Sequence, residues 1–207
     1  MMQVDKKEHI IQSATELFAE KGFEGTSVRE LAAKAEVNLA MIHYYFGSKE
    51  GLFQAMVEHK TAYMKERIAE IQAHKTLSDI EKIDAIIESY VERFLSQPQF
   101  HKVIQQEMLV TKREEMHHKV IDTFIKNTNV FNSIIEKGMR KKVFRKVDPP
   151  MIFATIIGTI NQVLMSKKLC NIFSGKEKDF NPYKDEHFKK RLVTHLKQII
   201  HSHLLNS

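Results

Sequence analysis

Apolar residues recur along most of this chain at spacings of three and four, the repeat of an amphipathic helix, and alternate with period two over no useful length. The chain therefore reads as all-α. A first helix is expected from Asp5, an N-cap with Glu8 three residues on, to Gly22, with Ile10 or Ile11, Ala14, Leu17 and Phe18 on its buried face. A long helix from Ser48 to about Gln72 carries apolar residues at 52, 53, 56, 57, 63, 64, 68 and 71. Ser48 has Gly51 rather than an acid three residues on, so the reciprocal half of a capping box is missing. Helices follow over Leu77–Gln97, stopped by Pro98, over Gln99–Thr111 and over Glu114–Lys142. Asp148 and Pro149 then make an N-cap and first-turn pair for a helix to Lys168, and a last helix spans Glu186–Leu205. The polar stretch SGKEKDFNPYKD, residues 174–185, reads as a loop.

Within this pattern residues 26–53, TSVRELAAKAEVNLAMIHYYFGSKEGLF, hold two short helices with their own start signals. Ser27 and Glu30 form a capping box, opening a helix from about Val28 to Ala35. Asn38 is an N-cap for Leu39–Tyr45 after a turn of only a few residues. Leu31, Ala35, Val37, Ile42 and Tyr45 fall where a helix-turn-helix packs its helices together, and Ala32 is small where they cross. With Ile42 and Tyr45 turned inward, the remainder of the second helix is available to a major groove. Asn38 stands at its start, and Leu39, Ala40 and Met41 suit thymine methyls because they cannot hydrogen-bond a base edge. Arg29 is the best candidate for a base or backbone contact from the first helix.

The segment resembles the DNA-binding domain of the TetR (tetracycline repressor) family. The resemblance is carried by Leu17-Phe18, Gly22-Phe23, Thr26, Leu31-Ala32, Ala35, Val37, Ile42, Tyr44-Tyr45-Phe46 and Lys49-Glu50-x-Leu52. A weaker echo, Phe144-Arg145-x-x-Asp148-Pro149, resembles a recurrent join in the body of such proteins. Two positions depart from the motif. Glu36 stands where the turn usually carries Gly, which predicts mild backbone strain. His43 stands where the family most often has a phosphate-binding Tyr. The resemblance implies that Thr26, Ser27, His43, Tyr44 and Lys49 hold DNA phosphates, Lys49 at a helix N-terminus. It also implies a helix-turn-helix domain over residues 1–47 and a helical ligand-binding and dimerisation domain over 48–207. Its further implication is a homodimeric repressor, released from a palindromic operator in double-stranded DNA by an unidentified small-molecule effector. Two other readings stay open: a regulator without such an effector, controlled by a protein or acting as an activator, and an all-α enzyme or carrier.

The helix over Pro149–Lys168 is apolar nearly all round and is therefore either central core or an oligomer seam. The last helix places Phe188, Leu192, His195 or Leu196, Ile199 and His203 along one stripe. Paired about a two-fold axis, the two helices would build a four-helix bundle. The dimer contacts expected are Ile152, Ile156, Ile160 and Val163 with Phe188, Leu192, Leu196 and Ile199. A ligand cavity is expected among the middle helices, lined by Met64, Phe94, Met108, Met116, Phe124 and Met165. Tyr63, Tyr90, Asn161 and Gln162 would supply its polar contacts. Each of these residues also reads as ordinary core.

Composition changes this picture little. With 207 residues, 43% hydrophobic and 28% charged, the chain can bury a sizeable core as an ordinary globular protein. The formal charge of +6 does not argue for nucleic acid, because residues 1–50 hold six Lys or Arg against eight acids. The single cysteine, Cys170, excludes an internal disulfide and fits a reducing cytoplasm. After an apolar run, it reads as core rather than reactive. The start MMQVDKKEHI has no apolar run after its charges, so no signal peptide is expected, and Met151–Met165 is short for a membrane span. Among eleven histidines no His or Cys pair has spacing that demands zinc. No set of nucleophile, base and orienter is visible, nor a Gly-rich phosphate loop, so neither catalytic residues nor a cofactor is expected. The run Lys137, Arg140, Lys141, Lys142, Arg145, Lys146 is either a second anion site or a solvated face that complements a helix C-terminus.

Overall fold

The computed structural model describes residues 2–108, 114–175 and 180–205, and every regular element among them is helical. The helices are α1 (Met2–Lys21), α2 (Val28–Lys34), α3 (Leu39–Phe46), α4 (Lys49–Ala73), α5 (Asp79–Ser96), α6 (Pro98–Met108), α7 (Glu114–Arg140), α8 (Pro149–Leu164), α9 (Lys167–Ser174) and α10 (Glu186–Leu204). The all-α expectation holds. Helix α1 starts at Met2 rather than Asp5, and the part of α6 expected beyond Met108 lies outside the described residues.

Two packing units divide the chain. The first takes residues 1–63 and 97–124, the second 64–96 and 125–207, so α4 and α7 each contribute to both.

In the first unit, Ile10, Ala14 and Phe18 of α1 bury against Leu31 of α2, Ile42 of α3 and Leu52 and Phe53 of α4. Phe18, Phe23 and Phe53 form an aromatic triangle with centroids 5.3 to 5.6 Å apart. Each such burial contributes about 1.5–3 kcal/mol. Phe100 and Val103 of α6 and Val120 of α7 join the same core. A three-helix head that would be marginal alone thus gains apolar cover from three further helices.

The second unit is built on α5 and α10, with Ile83, Ile86, Ile87 and Val91 facing Leu192, Leu196, Ile200 and Leu204 in one core. Ser78 and Glu81 form a reciprocal capping box at the start of α5, and the Asp185 carboxylate accepts from the Phe188 N–H, 2.7 Å, at the start of α10. Along their flank Asp84, Glu88 and Glu92 of α5 pair with His201, Lys197 and Lys189 of α10. The i, i+4 spacing puts all three acids on one face. Gly138 of α7 lets the Phe144 ring lie against the helix, where a Cβ would collide with it.

In the basic run that begins at Lys137 inside α7, Arg145 serves the second of the two readings. Arg145 donates from its backbone N–H to the Leu204 carbonyl, 2.8 Å, and from its guanidinium to the Ser202 carbonyl, capping the end of α10. Lys141 pairs with the buried Asp79 carboxylate at 2.7 Å.

One helix went unforeseen. The apolar helix ends at Leu164, not Lys168, because the Ser166 side chain accepts from the Leu169 N–H, 3.0 Å, and starts α9 within the region expected to continue α8. Gly175 ends α9 in the left-handed conformation at φ +67°. Cys170 sits fully buried on α9, and burial pushes its thiol up to about 11, which fits a packing role. No helix among the described residues is long and apolar enough to cross a membrane.

Candidate nucleic-acid interface

The Ser27 capping box forms in full at the start of α2: the Ser27 N–H donates to the Glu30 carboxylate at 2.8 Å, and the Glu30 N–H donates to Ser27 Oγ at 3.2 Å. The Lys21 ammonium, 2.7 Å away, and the Ser27 donors hold the Glu30 carboxyl down at about 2. Helix α2 stops at Ala35, after which Glu36 takes φ +51°, the strained conformation expected where glycine is usual. Asn38 Oδ1 then accepts from the Ala40 N–H, 2.9 Å, and opens α3.

Leu31, Ala32, Ala35 and Ile42 are buried and Val37 and Tyr45 half-buried, as helix-turn-helix packing requires. The opposite face of α3 is open: Asn38, Leu39, Ala40, His43 and Tyr44 are exposed and Met41 is half-buried. Tyr44 is 76% exposed, its ring set edge-on against Tyr45 at 5.1 Å, so its hydroxyl projects from a braced base. His43 donates from Nδ1 to the Gly47 carbonyl oxygen, 3.0 Å away, leaving Nε2 as its remaining polar atom. Arg29 is exposed on α2. This surface offers methyls, an aromatic hydroxyl, an imidazole and a guanidinium, the groups that meet base edges and phosphates.

Three residues expected at phosphates are engaged inside the protein. The N–H and the hydroxyl of Ser27 both donate to the Glu30 carboxylate at 2.8 Å. Thr26 is 1% exposed and its hydroxyl donates to the Gly22 carbonyl at 2.8 Å. The Lys49 ammonium donates to the carbonyls of Phe23 and Thr26, both at 3.0 Å. A cation's place in a motif does not reveal that backbone carbonyls distant in sequence converge on it. At the start of α4 the Ser48 hydroxyl accepts from the Gly51 N–H, 3.0 Å. A Cβ at Gly51 would collide with the Phe46 carbonyl, so the acid of a full capping box has no room there.

The residues expected to line a ligand cavity are spread over both units. Met64, Tyr90 and Phe94 belong to the core of the second unit, where Asn161 is half-buried. Phe124 packs against the core of the first unit. Tyr63, Met108 and Met165 are exposed, and so is Gln162. The side chain of Met116 lies outside the described residues.

The expected dimer contacts need correcting. Ile152, Ile156, Ile160, Phe188, Leu192 and Leu196 are buried in the core of their own chain, while Val163 and Ile199 are half-buried. The dominant apolar stripe of each helix faces the core of its own chain, α10 chiefly against α5 and α8 against α9, α10 and α5. Among the residues left outward are Thr155, Gly158 and Gln162 of α8 and Arg191, Thr194, His195 and Gln198 of α10. Thr159, Val163, Thr194 and His195 line an open groove of about 700 Å³ along the two helices.

A helix-turn-helix with its inner face packed, its outer face bare and a second helical unit behind it in sequence defines a DNA-binding regulator. Residues 10–56 match the family model for bacterial regulatory proteins of the tetR family, and residues 76–165 match that for a tetracyclin repressor-like C-terminal domain. The Bacillus subtilis protein named "probable HTH-type transcriptional regulator YttP" is 32% identical over 151 residues, 72% of each chain. The fold matches FadR of Bacillus subtilis, solved in complex with stearoyl-CoA, with a TM-score of 0.72 at 20% identity over 91% of this chain and 96% of that one. It also matches AibR, solved with isovaleryl coenzyme A and operator DNA, with a TM-score of 0.68 at 16% identity over 94% and 97% of the two chains. The protein belongs to the TetR family of transcriptional regulators.

Proposed function

We propose that this protein is a homodimeric transcriptional repressor that holds a near-palindromic operator with α2 and α3 and releases it when a small molecule binds the body. The observation that carries the reading is the bare outer face of α3, where Leu39, Ala40, His43 and Tyr44 stand exposed around a buried Ile42. Tyr44 serves phosphates, as does His43 when its Nε2 carries a proton, and Leu39, Ala40, Met41, Asn38 and Arg29 meet base edges or the neighbouring backbone. Residues 1–47 act as the DNA-binding domain and 48–207 as the ligand-binding and dimerisation domain, joined by α4, which runs unbroken from Lys49 to Ala73. The dimer forms through the outward faces of α8 and α10.

An effector releases DNA only by binding the DNA-incompetent state more tightly, and a swing from 1:99 to 99:1 takes about 5.5 kcal/mol over the dimer. Operator DNA must then weaken effector binding by the same factor. Because FadR and AibR were solved with acyl-CoA ligands, acyl-CoA thioesters of different chain length are the first effectors to test. Titration of a thioester that stabilises the protein in thermal-shift screening, with and without operator, should give weaker binding when operator is present. Equal affinity in the two titrations rejects gating by that ligand.

A further inference from the structure

The Lys49 ammonium lies 3.0 Å from the Phe23 carbonyl oxygen and 3.0 Å from that of Thr26. It stands 4.3 Å over the centroid of the Phe23 ring. That ring is 2% exposed and wedged edge-on against Phe53 of α4 at 5.3 Å, so the platform beneath the cation belongs to the core. The segment that carries the two carbonyls is itself drawn tight, since the Thr26 N–H donates to the Phe23 carbonyl at 3.3 Å and the Thr26 hydroxyl to Gly22. An ammonium has three N–H donors, and charge-assisted bonds to carbonyls are stronger than neutral ones. Two of the three are spent on backbone carbonyls of the connection between α1 and α2.

We infer that Lys49 is a positioning residue of the reading head. Its ammonium clamps the first turn of α4 to the α1–α2 connection, so that the helix-turn-helix and the start of α4 move as one piece, and it does not neutralise a DNA phosphate. This assignment rests on the DNA-binding reading of α2 and α3, but its first test needs no DNA.

The test is hydrogen exchange on full-length Lys49→Met. Amides of residues 22–30 should exchange about tenfold faster or more than in the wild type, those of α5 and α10 should keep their rates, and Lys49→Arg should restore most of the protection. Unchanged exchange over 22–30 overturns the clamp. Operator affinity is then measured against salt. A clamp predicts binding about tenfold weaker with the same slope of log K against log salt. A phosphate contact predicts a slope lower by about 0.9 for each subunit, which overturns the assignment. If the wild type binds no operator, the proposed function falls, and the exchange result still decides the clamp. Should Lys49→Met lose its helical circular dichroism, Lys49→Gln, which keeps a donor without the charge, is read in the same assays.

Discussion

Glu36 sits in the turn between α2 and α3 at φ +51°, a conformation that costs a residue with a Cβ about 1–2 kcal/mol. Glycine there removes that strain but brings back unfolded-state entropy worth about 0.4–1 kcal/mol. Glu36→Gly should therefore stabilise the protein by about 0.5–1 kcal/mol, seen as a higher urea midpoint with unchanged slope; a lower midpoint would show that Glu36 makes up its strain elsewhere. That strain could be foreseen from the residue alone, because backbone sterics are local. The capping box at Ser27 and the buried Leu31 and Ile42 were legible for the same reason. What stayed hidden at this scale was long-range: the Phe23 and Thr26 carbonyls that engage Lys49 lie 26 and 23 residues before it, and no local pattern announces them.

Helices with strong caps or breakers were predictable to within a turn or so, such as α5 before Pro98 and α8 after Asp148. Helix α9 was missed because Ser166 and the Lys167-Lys168 pair interrupt an apolar run that looks continuous when only hydrophobicity is followed. The faces of α8 and α10 were misjudged for a related reason. A helix that meets its own core on one side and a second copy on the other carries two stripes, and the more apolar one belongs to the core. A charge at Ile156, which is 0% exposed, would unfold the subunit and say little about the seam. The informative variant is Thr159→Lys with Thr194→Lys, on the open groove beside Arg191 and His195. It should remain helical and run as a monomer in light scattering, because like charges then face one another across the two-fold axis. A dimer of wild-type mass for this double variant places the seam elsewhere.

At the scale of the whole molecule, the proposed dimer takes its specificity from groove contacts made twice, once by each subunit, with half-sites about one helical turn apart. The head carries more acids than bases, so phosphate attraction alone gives it little hold on DNA. The most direct measurement is fluorescence anisotropy of the full-length protein on labelled duplex from upstream of its own gene, against a scrambled duplex of the same composition, for the wild type, Tyr44→Ala and Arg29→Ala. The wild type should prefer the upstream duplex by a factor of about 10³ or more. Tyr44→Ala should lower affinity for both duplexes about equally, since a phosphate contact carries no sequence information, and Arg29→Ala should lower it more on the upstream duplex if its guanidinium reaches a base. Equal wild-type affinity for the two duplexes, or both variants binding like the wild type, would contradict the account.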